Sequence, residues 1–210
     1  MATLEINFEA WVDSHGYELS LRKEKGRKSP IVWFEPKGGP FVKLSPLDFH
    51  STLYKQFADI PDDPDAYLDF MYKFGPITYT HSPEYGHGWG EEESFSELKD
   101  SKSELHEMIE HWRAGSLKYL ERDFRAGVEA KLKPYQNGGL SLRLMPRTLY
   151  DALLLQFGQA VSNDRALRAC QWCGAWFETG AQSKRTSARF CSDRCRTRFH
   201  NDRRLKGAKP

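Results

Sequence analysis

The chain has 210 residues, of which 39% are hydrophobic and 13% aromatic, enough for a sizeable core in one or two domains. It contains no run of about 18 consecutive apolar residues, so no membrane span and no membrane partner are expected. The first ten residues lack the basic start and the apolar stretch of a signal peptide, and we therefore expect a cytoplasmic protein.

The net charge of +2 conceals an uneven distribution along the chain. Residues 1–164 carry 19 lysines and arginines against 26 acidic residues, whereas residues 165–210 carry 12 against 3. An acidic body with a basic tail is typical of a protein that binds nucleic acid. The alternative is that arginines keep a small module with few apolar residues in solution.

The first forty residues show the pattern of antiparallel strands. Tyr17, Leu19 and Leu21 alternate with polar residues, which predicts a half-buried strand. Ile31–Phe34 and Phe41–Leu44 flank the segment EPKGGP, whose glycines and prolines predict a connecting loop. We therefore expect an antiparallel meander here.

Three helices are predicted in the middle of the chain. Ser45-Pro46 and Asp63-Pro64 each have the form of an N-cap followed by proline at the first helical position, and Gly75 ends the second of these helices. Their aromatic residues are expected to form core, with a ligand groove as the alternative. A third helix, long or broken at Gly115, is predicted from Glu97 to about Phe124.

A glycine-rich segment between the second and third helices contains His81, Glu84, His87 and Glu91. These residues could form a metal site, but they share no predicted helix face. The glycines favour a surface loop instead.

A β-hairpin and a helix complete the body of the chain. Apolar residues alternate from Val128 to Leu132 and from Leu140 to Leu144, with the turn residues Asn137-Gly138-Gly139 between them. Thr148 is a candidate N-cap for a helix that ends near Ser162. Residues 1–164 are thus predicted to be an α+β body, with antiparallel β-hairpins packed against several helices, that senses a signal or dimerises.

All four cysteines of the protein fall within one short stretch near the C-terminus. They form two close pairs, Cys170-x2-Cys173 and Cys191-x3-Cys195, with 17 residues between the pairs. This spacing is typical of a tetrahedral site with four thiolate ligands, and we expect one structural Zn²⁺. Two disulfides would require an exported protein, and a redox pair would leave Cys191 and Cys195 unexplained.

The residues around the cysteines predict a treble clef, a small fold with a knuckle, a hairpin and a helix, over residues 165–210. Gly174 allows the positive φ of a zinc knuckle, and Trp176 begins a strand. Ser192 and Asp193 favour a helix start, which places Cys195 in the first helical turn.

The module also carries two short motifs, Cys170-x2-Cys173-Gly-x-Trp176-Phe177 and Arg189-Phe190-Cys191-Ser192-x2-Cys195-x2-Arg198. They resemble the CGNR-type zinc finger found at the C-terminus of bacterial proteins, often behind an ABATE-type domain. The resemblance implies a bacterial transcription regulator. Where that family reads Cys-Gly-Asn-Arg, this chain has Cys195-Arg196-Thr197-Arg198, so the ligands and Arg198 carry over and any role of the Gly and Asn does not.

A basic helix follows the second cysteine pair. Its arginines lie on both flanks of the face that carries Cys195 and Phe199, which suits the two walls of a nucleic-acid groove. We expect DNA rather than RNA as the partner, and the chain could also form a homodimer. The expected contact residues are Lys184, Arg185, Arg189, Arg194, Arg196, Arg198, Arg203 and Arg204.

Two other functions remain open at this point. A structural zinc finger could bind RNA or a protein partner instead of DNA. A treble-clef nuclease would need a histidine in the hairpin and an open metal position for water. Residues 174–190 contain no histidine, and four thiolates fill a tetrahedral ion, so we expect no enzyme activity.

Overall fold

The computed structural model describes residues 5–6, 8, 10–23, 26, 29–47, 52–78, 93–116, 126–134, 140–163, 166–180 and 187–207. The elements of this part of the chain are, in order, β1 (Glu5–Ile6), β2 (Ala10–Asp13), β3 (Tyr17–Arg22), β4 (Ile31–Pro36), β5 (Phe41–Leu44), α1 (Leu53–Ala58), α2 (Pro64–Phe74), β6 (Glu93–Ser94), α3 (Phe95–Arg113), β7 (Val128–Pro134), β8 (Leu140–Pro146), α4 (Leu149–Ser162), β9 (Ala166–Ala169), β10 (Trp176–Thr179) and α5 (Asp193–Gly207).

The described strands form four small sheets, with the orders β1-β8-β7, β3-β4-β6, β2-β5 and β9-β10. The pairs are antiparallel except for β1 with β8, which is parallel. Helices pack against these sheets, which confirms the predicted α+β class. The division of the chain after residue 164 stays a prediction.

The N-terminal strands form one long bent hairpin rather than the predicted meander. β3 pairs with β4, and β2 pairs with β5 farther along the same two arms. Four residues, 37–40, face three residues, 14–16, at the bend, so one arm carries one extra residue. The Gly39 N–H donates to the carboxylate of Asp13, and a Cβ at Gly39 would lie 2.5 Å from Asp13 Oδ1. EPKGGP therefore makes the bend, and the chain reverses between Arg22 and Ile31.

The prediction of a half-buried strand is wrong for most of β3. Tyr17 is buried, but Leu19 is 38% exposed and Leu21 is 70% exposed. The helices cover only the first part of the strand, where Tyr72 of α2 lies against Gly16.

The second predicted helix start is confirmed and the first is wrong. Asp63 caps α2 by accepting from the Asp65 N–H, and Gly75 follows the helix with a φ of 97°. In contrast, Pro46 lies in a turn, and α1 begins only at Leu53. The Tyr54 N–H in the first turn of α1 is satisfied by Gln156 Oε1 of α4 at 3.1 Å. A distant side chain thus supports this helix start, which no local motif reveals.

The later helices and the second hairpin agree with the sequence. α3 begins with a capping box between Ser94 and Glu97, and Gly115 follows its end with a φ of 73°. β7 and β8 pair antiparallel, and Thr148 caps α4. The predicted turn at 137–139, the histidine-rich segment 81–92 and the end of the third helix, residues 117–125, lie outside the described residues.

The core lies between the sheets and helices α1 to α4. Tyr54, Phe57 and Tyr67 are fully buried aromatic residues, and Leu105 and Ile109 of α3 pack into the same cluster. The predicted aromatic core is thus confirmed. None of the helices in the described ranges is long and apolar enough to cross a membrane.

Candidate metal centre

A tight knuckle between β9 and β10 positions the first cysteine pair. The Cys170 N–H donates to the Ala175 carbonyl at 2.9 Å, and the Gly174 N–H donates to the Cys170 carbonyl at 3.0 Å. Gly174 has a φ of 73°, as the sequence predicts. The pairing of β10 with β9, which precedes the knuckle, was not predicted.

The start of α5 positions the second pair. Ser192 Oγ accepts from the Cys195 N–H at 3.2 Å, so Ser192 caps the helix and Cys195 lies in its first turn. The Gln171 N–H donates to the Arg189 carbonyl at 3.0 Å, which holds the segment before Cys191 beside the knuckle. The predicted position of Cys195 in the first helical turn is confirmed, and Cys191 lies two residues before the first residue of the helix.

The four sulfur atoms form one cluster, all within 4.8 Å of one another. The Cys191–Cys195 distance is 3.5 Å, Cys173–Cys191 is 3.6 Å and Cys173–Cys195 is 3.7 Å. A tetrahedral ion with metal–sulfur bonds of about 2.3 Å needs sulfur atoms about 3.8 Å apart. Disulfide sulfurs would be about 2.05 Å apart, and all four cysteines are free. The cluster therefore fits one metal ion.

The protein environment shifts the pKa values of Cys170 and Cys191 in opposite directions. Burial raises the pKa of Cys170, but backbone N–H groups of Cys173, Cys191 and Trp172 outweigh it and lower the pKa to about 6. Burial, together with the neighbouring thiols, raises the pKa of Cys191 to about 12. The backbone N–H groups around Cys170 thus favour its thiolate form, whereas burial beside the other thiols disfavours the thiolate form of Cys191 when no cation is near.

Aromatic contacts tie α5 to the segment before Cys191. The ring centroids of Phe190 and Phe199 are 5.1 Å apart, and His200 lies 5.6 Å from Phe199. Phe199 and Cys195 are both partly buried and lie one helical turn apart. Cys195 and Phe199 thus share one face of α5, as predicted, and this face is the partly buried one.

The expected nucleic-acid contact residues are exposed wherever the structure describes them; Lys184 and Arg185 lie outside the described residues. Arg196 pairs with Asp193 at 3.2 Å, and the Arg203 guanidinium lies 5.7 Å from the Phe199 ring centroid. Within the described ranges, no ion pair is formed by the four remaining arginines, Arg189, Arg194, Arg198 and Arg204.

β10 connects the metal centre to the helices of the body. The Trp176 ring contacts two cations, with Lys55 Nζ of α1 4.8 Å from the ring centroid and the Arg113 guanidinium at the end of α3 4.6 Å from it. The Tyr54 hydroxyl donates to Glu178 Oε1 at 3.4 Å, and Glu178 is buried. The sequence identified Trp176 as a strand start and a motif residue, but not as a contact with α1 and α3, because those partners are far away in the chain.

Comparison with protein-family models, curated proteins and solved structures gave no match to this chain.

Proposed function

We propose that this protein is a DNA-binding transcription regulator of the bacterial cytoplasm, in which the four cysteines hold one structural Zn²⁺ and α5 contacts DNA. The observation that carries this proposal is a set of exposed arginines, Arg189, Arg194, Arg198 and Arg204, that form no ion pair within the described ranges. They lie on and beside a helix whose first turn contributes Cys195 to the four-cysteine cluster. Since folding of such a helix is coupled to the metal, the proposed DNA binding depends on zinc.

Zinc is the metal that best suits the donor set. Thiolates favour Zn²⁺, Cu⁺ or iron–sulfur clusters, and a tetrahedral cage of four cysteines in a small module is the usual structural zinc site. Bound zinc would act as a structural cross-link between the knuckle and α5. With four thiolates, the ion has no open position for water, which is why we propose no catalytic role.

The basic residues suit docking onto the two phosphate strands that line a groove. On a helix, Arg194 and Arg198 lie to one side of the Cys195–Phe199 face, while Arg196 and Arg203 lie to the other. Contacts to phosphates orient a protein on the duplex without reading its sequence. We therefore assign these arginines to the DNA backbone, and the acidic body to sensing or dimerisation.

The resemblance to the CGNR-type finger supports the same function. Its ligand positions and Arg198 are present in this chain, and the four ligands of that pattern come together here. We propose membership of that family or of a sister group with an altered signature.

The salt dependence of DNA binding tests this function. The zinc-loaded protein is titrated against a random duplex at several salt concentrations, with fluorescence anisotropy as the measurement. If four arginines each neutralise a phosphate, the slope of log K against log salt is about −4, and Arg198→Gln makes it less steep by about 0.9.

Arg147→Gln is the matched control, because Arg147 is an exposed arginine of the body, at 67% side-chain exposure. The slope of log K against log salt measured for Arg147→Gln should equal that of the unmodified protein. An affinity that does not change with salt, or an equal effect of both substitutions, would contradict the proposal.

A single-stranded RNA partner is the second candidate, favoured by Trp172. This knuckle residue is 38% exposed, and an exposed indole can stack on an unpaired base. Tighter binding to single-stranded RNA than to duplex DNA, lost in Trp172→Ala, would favour this candidate over the first.

A further inference from the structure

β3 lies at the edge of its sheet and carries exposed apolar side chains. The sheet order is β3-β4-β6, and no strand in the described ranges pairs with the outer side of β3. Leu19 and Leu21 on this strand are 38% and 70% exposed. An exposed apolar edge strand readily pairs with another strand.

The backbone of β3 offers its free groups at every second residue. Tyr17 lies opposite Pro36, which has no N–H, and the Lys37 N–H donates to the Gly16 carbonyl at 3.0 Å. In an antiparallel ladder, hydrogen-bonded and non-hydrogen-bonded pairs alternate. The N–H and C=O groups of Glu18, Ser20 and Arg22 therefore face β4, and those of Leu19 and Leu21 face outward.

The sequence of the strand, YELSLR, is complementary to itself when a second copy runs antiparallel. A two-fold axis at Ser20 places Leu19 opposite Leu21 of the second copy. The outward-facing N–H and C=O groups of Leu19 then meet those of Leu21 across the axis. The same axis places Glu18 opposite Arg22. An axis at Glu18 or at Arg22 would instead bring like charges together, which is unfavourable.

The charges around Glu18 favour the same arrangement. Glu18 lies directly opposite Glu35 within the hairpin, which is a like-charge pair. Arg22 already bonds Glu35 at 2.9 Å and lies 5.9 Å from the Trp33 ring centroid. With a second copy in place, Arg22 lies between its own Glu35 and the other Glu18, so it compensates both carboxylates.

We propose that this chain forms a homodimer through antiparallel pairing of β3 with β3 of a second copy, about a two-fold axis at Ser20. The pairing joins two three-stranded sheets into one continuous six-stranded sheet. Four backbone hydrogen bonds form between Leu19 and Leu21 across the axis, and the two Glu18–Arg22 pairs fix the register. This interface does not depend on the metal centre or on the proposed DNA binding.

Charge reversal tests the interface by sedimentation equilibrium on the full-length, zinc-loaded protein. Glu18→Arg and Arg22→Glu each create two like-charge pairs, and each weakens dimerisation by roughly ten- to a hundredfold. A mixture of the two single variants forms heterodimers at near the original affinity, because every pair across the axis again joins opposite charges. The double variant restores the homodimer for the same reason.

A second pair of substitutions distinguishes a specific role of β3 in dimerisation from the general effect of placing a charge at an exposed leucine. Leu21→Asp weakens the dimer, whereas Leu132→Asp leaves it intact, because Leu132 is 66% exposed on β7, at the edge of another sheet. Circular dichroism checks that each variant is folded. A monomeric unmodified protein would overturn the proposal, and so would single variants that still dimerise or a mixture that stays monomeric.

Discussion

Gly174 is the residue on which the geometry of the knuckle depends most directly. Its φ is 73°, and an added Cβ would meet no atom within 4 Å. A side chain at this position is therefore disfavoured by the backbone conformation alone. For a residue other than glycine, this left-handed conformation costs about 1–2 kcal/mol.

Gly174→Ala should weaken zinc binding. Because the strain falls on the backbone conformation that places Cys170 and Cys173, we expect a loss of affinity of roughly fivefold to thirtyfold in competition with a chromophoric chelator. Gly115→Ala is the control, since Gly115 also has a φ of 73° and open space around it. Gly115→Ala should lower the free energy of unfolding by a similar amount and leave zinc affinity unchanged. Equal zinc affinities for the two variants would contradict this prediction.

Asp62 should make the stability of the folded protein depend on pH in the acidic range. The pKa of this carboxyl is lowered by its hydrogen bond with Lys102, and Lys99 contributes to the same shift. Lys102 also donates to the Ile60 carbonyl at 2.9 Å, so the pair fastens the loop before α2 to α3. A lowered folded-state pKa means that the stabilisation is present above the unfolded pKa and is lost as pH falls through the folded value.

Asp62→Asn should therefore reduce the loss of stability below about pH 4. Urea unfolding at a series of acidic pH values measures this, with the midpoint as the observable. Asp69→Asn serves as the comparison because Asp69 is an exposed aspartate of the neighbouring helix α2. If both substitutions change the acid dependence alike, the Lys102 contact is not the cause.

At the scale of secondary-structure elements, β10 links the metal module to the body. Trp176 contacts cations from α1 and α3, and Glu178 of the same strand bonds Tyr54. Lys55 itself is only 2% exposed, so this contact is shielded from water. Cation–π contacts are worth about 2 kcal/mol when they are desolvated, and less at the surface.

Trp176→Ala should lower the free energy of unfolding by about 3 kcal/mol, from lost packing and lost cation–π contacts. Urea unfolding with zinc in excess is the measurement. Trp172→Ala is the matched control, because Trp172 is exposed in the knuckle four residues earlier. A similar loss of stability from both substitutions would show that the contacts of Trp176 with α1 and α3 are not the cause.

At the scale of the whole molecule, the apolar core and the four-cysteine cluster are two separate groups of contacts that stabilise different parts of the chain. The buried apolar cluster is built from residues of the body, and among the described residues of the C-terminal module only the partly buried Leu167 packs against it. α5 is polar, and its described inward contacts are with Phe190 beside the cysteine cluster. If the four cysteines hold zinc as proposed, α5 should depend on the metal far more than the body does.

Removal of zinc with a strong chelator should unfold α5 and leave the body folded. We expect far-UV circular dichroism to lose the signal of the 15 residues of α5, and DNA binding to disappear with it. The midpoint of the thermal transition of the body should fall by roughly 6–12 °C, because the lost contacts of β10 are worth about 3 kcal/mol. Cooperative collapse of the whole protein on chelation, or an unchanged helical signal, would contradict this view.

Features that arise from neighbours along the chain were predictable. The spacing of the four cysteines, the positive φ of Gly174 and the caps at Asp63 and Thr148 each depend on a few consecutive residues. Capping and knuckle turns are local hydrogen-bond patterns, so the residue types alone specify them.

Features that join distant segments were decided by the tertiary structure. The backbone of β1 pairs with that of β8, with residue 5 opposite residue 143 in the register. The start of α1 depends on the side chain of Gln156 in α4. Whether Leu19 and Leu21 are buried depends on how far the helices extend over β3, which the alternation of residues does not encode. The sequence thus determined the four-cysteine cluster and most helix starts, whereas the pairing of β1 with β8, the cation contacts of Trp176 and the open edge of β3 follow from long-range packing.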